Sequence, residues 1–407
     1  MFIKSIFGSF FAPHKFQVKR KTTKHRVAVI VPSFQPGKLT FSLVQKLLVW
    51  NKNVTLYVVD DSTPHEYEVK HRVFARIRAL SSRVTVLRTP ENKMKAGAIN
   101  HALFYILNQK KSLLPDAVIT LDDDVIISKN TIKNLVINLF EDDSLGAVCS
   151  QCRVINKNKN FLTRLQGLEY LGFNGARLAD EGFFRGPLVM HGMLTAFRTK
   201  ALQEVGLFTE HHLIEDYEIT ARIKNKGWHV RLAPNAYAWT EVPEKFSNLW
   251  RQRTRWMVGG LFVVTDIHYW HAAIQDIVGH VFFISTFLFV IASFILRGSP
   301  GSIPRAIPIV IIVLSLTQAL LWYLFQIWFM RFYREKDWKD WLIRLVLIPE
   351  FIYANVLAIV LLGSYVFFIF QAVFSWIGKK SKAVTRIKVL IEKIFSWIGY
   401  TKGWGTR

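Results

Sequence analysis

Cysteine is nearly absent: Cys149 and Cys152, in VCSQCRV, are the two in 407 residues. A disulfide framework is thereby excluded, and no second pair exists to complete a four-cysteine zinc site. The surrounding residues read as a strand, which makes the pair two reduced thiols rather than a redox couple. Nothing in the cysteine usage calls for an oxidising compartment. Acidic residues are scarce as well, 29 against 53 lysines and arginines, for a formal charge of +24. Internal repeats and low-complexity tracts are missing, which sets aside repeat architectures. No small-residue cleavage site follows the opening stretch MFIKSIFGSFF, and that stretch is too short to span a bilayer. Phe2, Ile3, Ile6, Phe7, Phe10 and Phe11 recur there at helical spacing up to Pro13. Residues 1–25 are therefore expected to form an amphipathic, basic surface anchor, the alternative being a solvent-exposed start without structure.

Apolar residues are plentiful and unevenly spread. Up to about residue 270 charged and apolar residues mix as in globular domains. Beyond lie three long uncharged runs, Ile277–Leu296, Ala306–Met330 and Phe351–Ile377. Each reaches the roughly 20 residues needed to cross a bilayer, and buried core helices rarely run so long without a charge. The positive residues flank these segments. Lys15, Lys19, Arg20, Lys21, Lys24 and Arg26 follow the opening stretch; Arg331, Arg334, Lys336 and Lys339 follow the second run; Lys379, Lys380, Lys382, Arg386 and Lys388 follow the third. Such flanking charge points to anionic membrane lipids as a partner and not to nucleic acid.

In the soluble part, short β-branched runs alternate with helical stretches. Strands are predicted over Val27–Val31, Val54–Val59, Val84–Leu87 and Ala117–Leu121, with helices over Leu39–Trp50, Tyr67–Ala79, Ala98–Asn108 and Ile132–Phe140. This order specifies an α/β fold with a parallel, doubly wound sheet, which binds ligands beyond the carboxyl ends of its strands. Two of these strands end in consecutive aspartates, Asp60-Asp61 and Asp122-Asp123-Asp124. Single strand-end aspartates often only cap helices or form turns, but carboxylates packed this closely repel one another. A hard divalent cation, Mg2+ or Mn2+, would relieve the repulsion and complete its shell with phosphates, which implies a nucleotide diphosphate. Further on, Glu215 and Asp216 open a helical stretch. They suit its N-terminus electrostatically, and either could supply the base that takes a proton from an acceptor hydroxyl. Arg251, Arg253 and Arg255 among Phe246, Trp250 and Trp256 suit both headgroups and a pyrophosphate.

Taken in order, VVDDS, KAGAINHAL, LDDD, IED and Gln-x-x-Arg-Trp, the last embedded in VPEKFSNLWRQRTRWMVGG, resemble the processive branch of the family 2 glycosyltransferases. That branch includes cellulose, chitin, hyaluronan and poly-N-acetylglucosamine synthases. The resemblance runs from about Arg26 to Gly260, and the wording around the last motif is similar to that of bacterial poly-β-1,6-N-acetylglucosamine synthases. It implies a GT-A-type domain, Rossmann-like with a mostly parallel sheet, followed by a C-terminal transmembrane helix bundle. It also implies roles for individual residues. Asp60 and Asp61 would contact uridine, Lys95 would reach the donor phosphates, and Asp122 and Asp124 would flank the variable Asp123, with Asp124 the metal ligand. Asp216 would be the general base of an inverting transfer that leaves a β-linkage. Gln252 and Arg255 would hold the pyrophosphate, and Trp256 would support the acceptor sugar. The chain departs from the pattern where Pro32-Ser33-Phe34-Gln35-Pro36 stands in place of Pro-x-Tyr-Asn-Glu, where Ile214 replaces Thr, and where Met94 replaces Gly. The spanning segment that many members carry before the catalytic domain is also not seen.

The expected organisation is an anchor (1–25), a GT-A domain (26–245), an interfacial segment (246–272), a transmembrane region (273–378) and a basic tail (379–407). Nucleotide sugars are cytoplasmic, so the catalytic domain is expected there, on a multi-pass protein of the plasma membrane. Three spans fit the resemblance but put the basic tail outside; an even number fits the charge. A further arrangement turns Trp338–Ile377 into an interfacial helix kinked near Pro349 plus a span or re-entrant hairpin. The leading function is processive extension of a β-linked polymer from UDP-N-acetylglucosamine or UDP-glucose. The alternative is a single transfer to a membrane lipid, and a non-enzymatic membrane or nucleic-acid binder ranks last. The few spans leave room for a helper membrane subunit or self-association.

Overall fold

The structure is a computed structural model that describes residues 25–180, 184–210, 212–295, 306–377 and 382–400. The proposed anchor at Phe2–Phe11, residues 296–305 and the end of the basic tail lie outside the described residues. Eight strands make one sheet: β1 (Val27–Ser33), β2 (Val54–Asp60), β3 (Val84–Arg88), β4 (Ala117–Leu121), β5 (Ile126–Ile127), β6 (Leu145–Val154), β7 (Leu194–Arg198) and β8 (His229–Thr240). Their order is β3-β2-β1-β4-β7-β6-β8-β5. The first four fall where the β-branched runs predicted them, and β2, β1 and β4 pair in parallel. β7 runs antiparallel to both of its neighbours, β4 and β6. β5, at the edge, also runs antiparallel to its neighbour β8, so the sheet is mostly parallel with two reversed strands.

Alternation along the strands feeds two cores. Val27, Val29 and Val31 of β1 enter one, while Ala28 and Ile30 enter the other. The first core is covered by α1 (Lys38–Trp50), α3 (Val73–Arg78) and α5 (Thr131–Leu139), through residues such as Leu47, Ile77 and Leu135. The second is covered by α4 (Met94–Leu107), α7 (Thr199–Val205) and α8 (Glu215–Asn225), through Ile99, Leu202 and Ile223. The helix predicted over Tyr67–Ala79 is two, α2 (His65–His71) and α3, because Arg72 between them adopts φ +50°. Cys149 and Cys152 lie on β6 as free thiols, three positions apart and hence in opposite cores. They cannot pair, and burial pushes their thiols up to about 11 and about 12.

Beyond the sheet come α6 (Phe161–Ala179), which packs on β6, and then α9 (Phe246–Thr265), α10 (Ile274–Ile295), α11 (Ala306–Phe329), α12 (Trp338–Val346), α13 (Ile348–Ile377) and α14 (Lys382–Trp397). Two stretches, Ile309–Phe332 and Ile348–Phe374, are long and apolar enough to cross a membrane. The first of the three expected runs lies in α10, whose apolar part, Ile274–Phe289, is shorter. The break foreseen near Pro349 falls at Leu347, with φ +65°. α12 is held against the sheet domain by a ring of ion pairs. Arg153 meets Glu335, Lys157 meets Asp340 at 2.6 Å, and Arg164 meets Asp337 and Asp340 at 2.7 Å.

Candidate active site

β1 and β4 are neighbours, but the chain leaves β1 toward β2 and β3, so the sheet's switch point lies between β1 and β4. Here the strand-end polar residues collect. Asp60 closes β2 and is buried. It accepts from the Thr63 N–H at 2.8 Å and from Arg88 at 2.5 Å. Asp61 accepts from Thr89 Oγ1 at 3.0 Å and from the Lys93 N–H at 2.8 Å, just ahead of α4. Burial raises its pKa, although those donors pull it back. Met94, where the resemblance expects glycine, has φ +60°, a conformation that glycine adopts without strain.

α4 carries Lys95 into the centre. Its Nζ lies 2.6 Å from Asp122 Oδ1 and 3.4 Å from Glu215 Oε1, and it donates to the Gly192 carbonyl at 2.9 Å. Burial alone would depress the ammonium; Asp122 and Glu215 outweigh it and hold the pKa above the ordinary lysine value. Asp122 is pushed up to about 7 by burial, with Lys95 opposing and Asp124 adding repulsion. Asp216 stands at the start of α8. Its Oδ2 accepts from the Gly192 N–H at 2.8 Å and its Oδ1 from its neighbour's N–H, that of Tyr217, at 2.9 Å. Burial first, then Glu215, raises its pKa, with Lys95 opposing. Lys95, Gly192, Glu215 and Asp216 line one small cavity with Thr120, Thr195 and Met190.

Gly192 was not singled out in the sequence. A Cβ there would meet Lys95 Nζ at 2.8 Å and Asp216 Oδ2 at 3.3 Å, so only glycine lets both functional groups reach its backbone. Asp123 accepts from Ser33, on β1, and from Thr40 Oγ1 at 3.4 Å, which stitches the switch point from the side opposite Asp122. Asp124 is exposed. Among the described residues no group of three or more His, Cys, Asp and Glu side chains is arranged to hold a metal ion.

Gln252, Arg255 and Trp256 share α9, all half-buried. The Gln252 amide oxygen accepts from Arg253 at 3.1 Å, the Arg253 guanidinium lies 4.1 Å from the Trp256 ring centre, and Trp256 packs against the first core. The structure thus unites Lys95, Asp122, Glu215 and Asp216 in one contact cluster and gathers Gln252 and Trp256 around Arg253.

Two curated relatives share sequence with the chain. It is 34% identical over 149 residues to a probable glycosyltransferase, YdaM, of Bacillus subtilis (strain 168), covering 37% of this chain and 36% of that one. It is 29% identical over 170 residues to the poly-β-1,6-N-acetyl-D-glucosamine synthase of Staphylococcus aureus (strain COL), covering 42% and 39%. The chain therefore matches less than two-fifths of either relative's length. Among solved structures, it is similar to a mannosyltransferase from Pyrobaculum calidifontis in complex with GDP-Man and Mn2+. The TM-score is 0.51 at 18% identity over 78% of this chain and 88% of that one, a likeness of fold. A sequence profile described as glycosyl transferase family group 2 matches residues 117–371. That match takes in more than half of the chain, from β4 through α9 and into α13, and so the protein belongs to glycosyl transferase family group 2 and is a glycosyltransferase.

Proposed function

We propose that the protein is a membrane-integrated, inverting glycosyltransferase that extends a β-linked polysaccharide processively from UDP-N-acetylglucosamine or UDP-glucose. The observation that carries this reading is the Asp216 carboxylate, oriented by two backbone N–H groups beside a buried ammonium at the sheet's switch point. Such a group can take the proton of an acceptor hydroxyl as the oxygen attacks the anomeric carbon. The bond from that carbon to the diphosphate breaks, and the nucleotide leaves with the electron pair. Attack from the face opposite the leaving group inverts the centre. Lys95 would meet the phosphates, Asp60 and Asp61 the uridine, Gln252 and Arg255 the pyrophosphate, and Trp256 the acceptor ring.

Asp122 and Asp124 fit a divalent cation: they are two hard oxygen donors whose mutual repulsion and burial raise Asp122, and phosphate oxygens would complete the shell. When bound, Mg2+ or Mn2+ would neutralise charge on the diphosphate. Membrane integration is supported by the outward apolar faces of α11 and α13, where Leu316 and Phe351 are 65% and 69% exposed. On this reading residues 26–245 form a cytoplasmic catalytic domain, 246–272 lie at the interface, and 273–378 form the membrane region of a plasma-membrane protein.

A second reading, one transfer to a membrane lipid, draws on an apolar cleft of about 1260 Å3 between α10 and α11, walled by Phe282, Phe289, Leu314, Leu321, Trp322 and Phe325. Product size separates the two. Purified protein in lipid would be given Mg2+ or Mn2+ and radiolabelled nucleotide sugars in parallel. A high-molecular-weight ladder from one donor is expected. Label confined to a lipid-extractable product of one or two sugars would sink processive extension.

A further inference from the structure

Arg253 occupies an open position of Gln-x-x-Arg-Trp, so the motif assigns it nothing. It is nonetheless the bulkiest of the fully buried side chains, 1% exposed. A guanidinium carried that far from water needs partners, and its two Nη atoms find them while its Nε has none among the described residues. Its Nη2 donates to Glu169 Oε2, on α6, at 2.5 Å and lies 3.5 Å from the Tyr353 hydroxyl, on α13. That hydroxyl donates to the same Glu169 oxygen at 2.8 Å. Its Nη1 donates to Gln252 Oε1 at 3.1 Å, and its flat face lies over Trp256. One planar group therefore touches two of the three α9 side chains assigned to substrate, Gln252 and Trp256, and ties them to an element of the catalytic domain and to a membrane helix.

We propose that Arg253 is a positioning residue, which sets the Gln252 amide for the pyrophosphate and the Trp256 ring for the acceptor, with Glu169 and Tyr353 fixing its own orientation. The inference rests on the roles proposed above for Gln252 and Trp256. Lysine cannot replace arginine here, because a point charge lacks the fork that reaches Gln252 and Glu169 together and the plane that covers an indole.

The test uses the full-length protein in lipid nanodiscs, with folding followed by thermal melting. UDP affinity, titrated calorimetrically in Mn2+, reads the Gln252 arm without knowledge of the acceptor. Arg253→Lys should weaken UDP about fivefold in the wild-type background and less than twofold once Gln252→Ala is present, since contacting residues lose additivity. Sugar transfer reads the Trp256 arm in the same way, with about a tenfold fall in kcat that shrinks to under twofold beside Trp256→Ala. A merely structural arginine would cost the same in every background, and that result overturns the inference. If Arg253→Lys fails to fold, Tyr353→Phe removes one hydroxyl and is expected to give about a threefold loss of kcat with the same dependence on background. Failure of the underlying reading looks different: UDP affinity unchanged by Gln252→Ala, or transfer unchanged by Trp256→Ala, would overturn the roles of those residues themselves.

Discussion

At the carboxyl ends of β1 and β4, one ammonium, Lys95, sits among Asp122, Glu215 and Asp216, whereas at the seam between the sheet domain and α12, Arg153, Lys157 and Arg164 meet Glu335, Asp337 and Asp340. Both regions bury charge. The first leaves carboxylates in excess and drives Asp122 and Asp216 upward; the second balances cation against anion and draws Asp337 down to about 2, its bond from Arg164 overcoming burial. Buried charge that is balanced fastens elements together, while buried charge left in excess awaits a partner, which on the proposed function is a donor, its cation and a transferable proton.

The sharpest way to break this contrast is to change one acid in each region. Asp216→Asn keeps size and most hydrogen bonding but cannot accept a proton, so turnover should fall about 10²-fold or more with donor binding retained. Normal turnover, measured by sugar transfer, would remove Asp216 from the mechanism. Asp340→Ala at the seam should act the other way. It leaves Lys157 and Arg164 facing a lost partner, at a cost of about 3 kcal/mol or more in stability, visible as a lower melting temperature. Turnover per folded molecule should change little.

pH separates the regions by sign. As the proposed base, Asp216 would work ionised, so activity should climb with pH through a midpoint above the ordinary carboxylate value of about 4. Glu215→Gln, which removes the neighbouring negative charge, should move that midpoint down in a pH–rate profile. A raised folded-state pKa favours the protonated form. The stability contribution of Asp216 is therefore full below the unfolded value and is lost as pH rises through the folded one. Asp337 has the opposite linkage: its contribution is present above the unfolded value and disappears as pH falls toward about 2. The smallest effect is expected at Met94. Met94→Gly should relieve the left-handed backbone but add freedom to the unfolded chain, for a net gain of about 1 kcal/mol or less by thermal melting.

Much of the parallel half is legible in the residues alone. The β-branched runs marked β1 to β4, and the strand-end aspartates announced the ligand side, since both signals are local. The helix break at Arg72 was not legible: no glycine or proline marks it, and the residue's positive φ appears only in the fold. The seam escaped for a related reason. Arg331, Arg334, Lys336 and Lys339 drew attention as membrane-facing charge, while the acids between them, Glu335 and Asp337, found partners about 180 residues earlier in the chain.

By itself the sequence determined the alternation of elements, the acidic strand ends, the acidic pair at the start of α8 and the apolar stretches beyond, because each is written in neighbouring residues as period, charge or length. The tertiary structure alone decided that β7 runs backwards beside β4. That reversal brings Gly192, at the head of β7, level with Asp122, at the tail of β4, where the Asp122 N–H donates to the Met193 carbonyl at 3.0 Å. From there the backbone of Gly192 holds both Lys95 and Asp216. Side-chain chemistry can be read along a chain, but a backbone amide becomes part of a site only through the strand pairing that carries it there, and no residue type records that pairing.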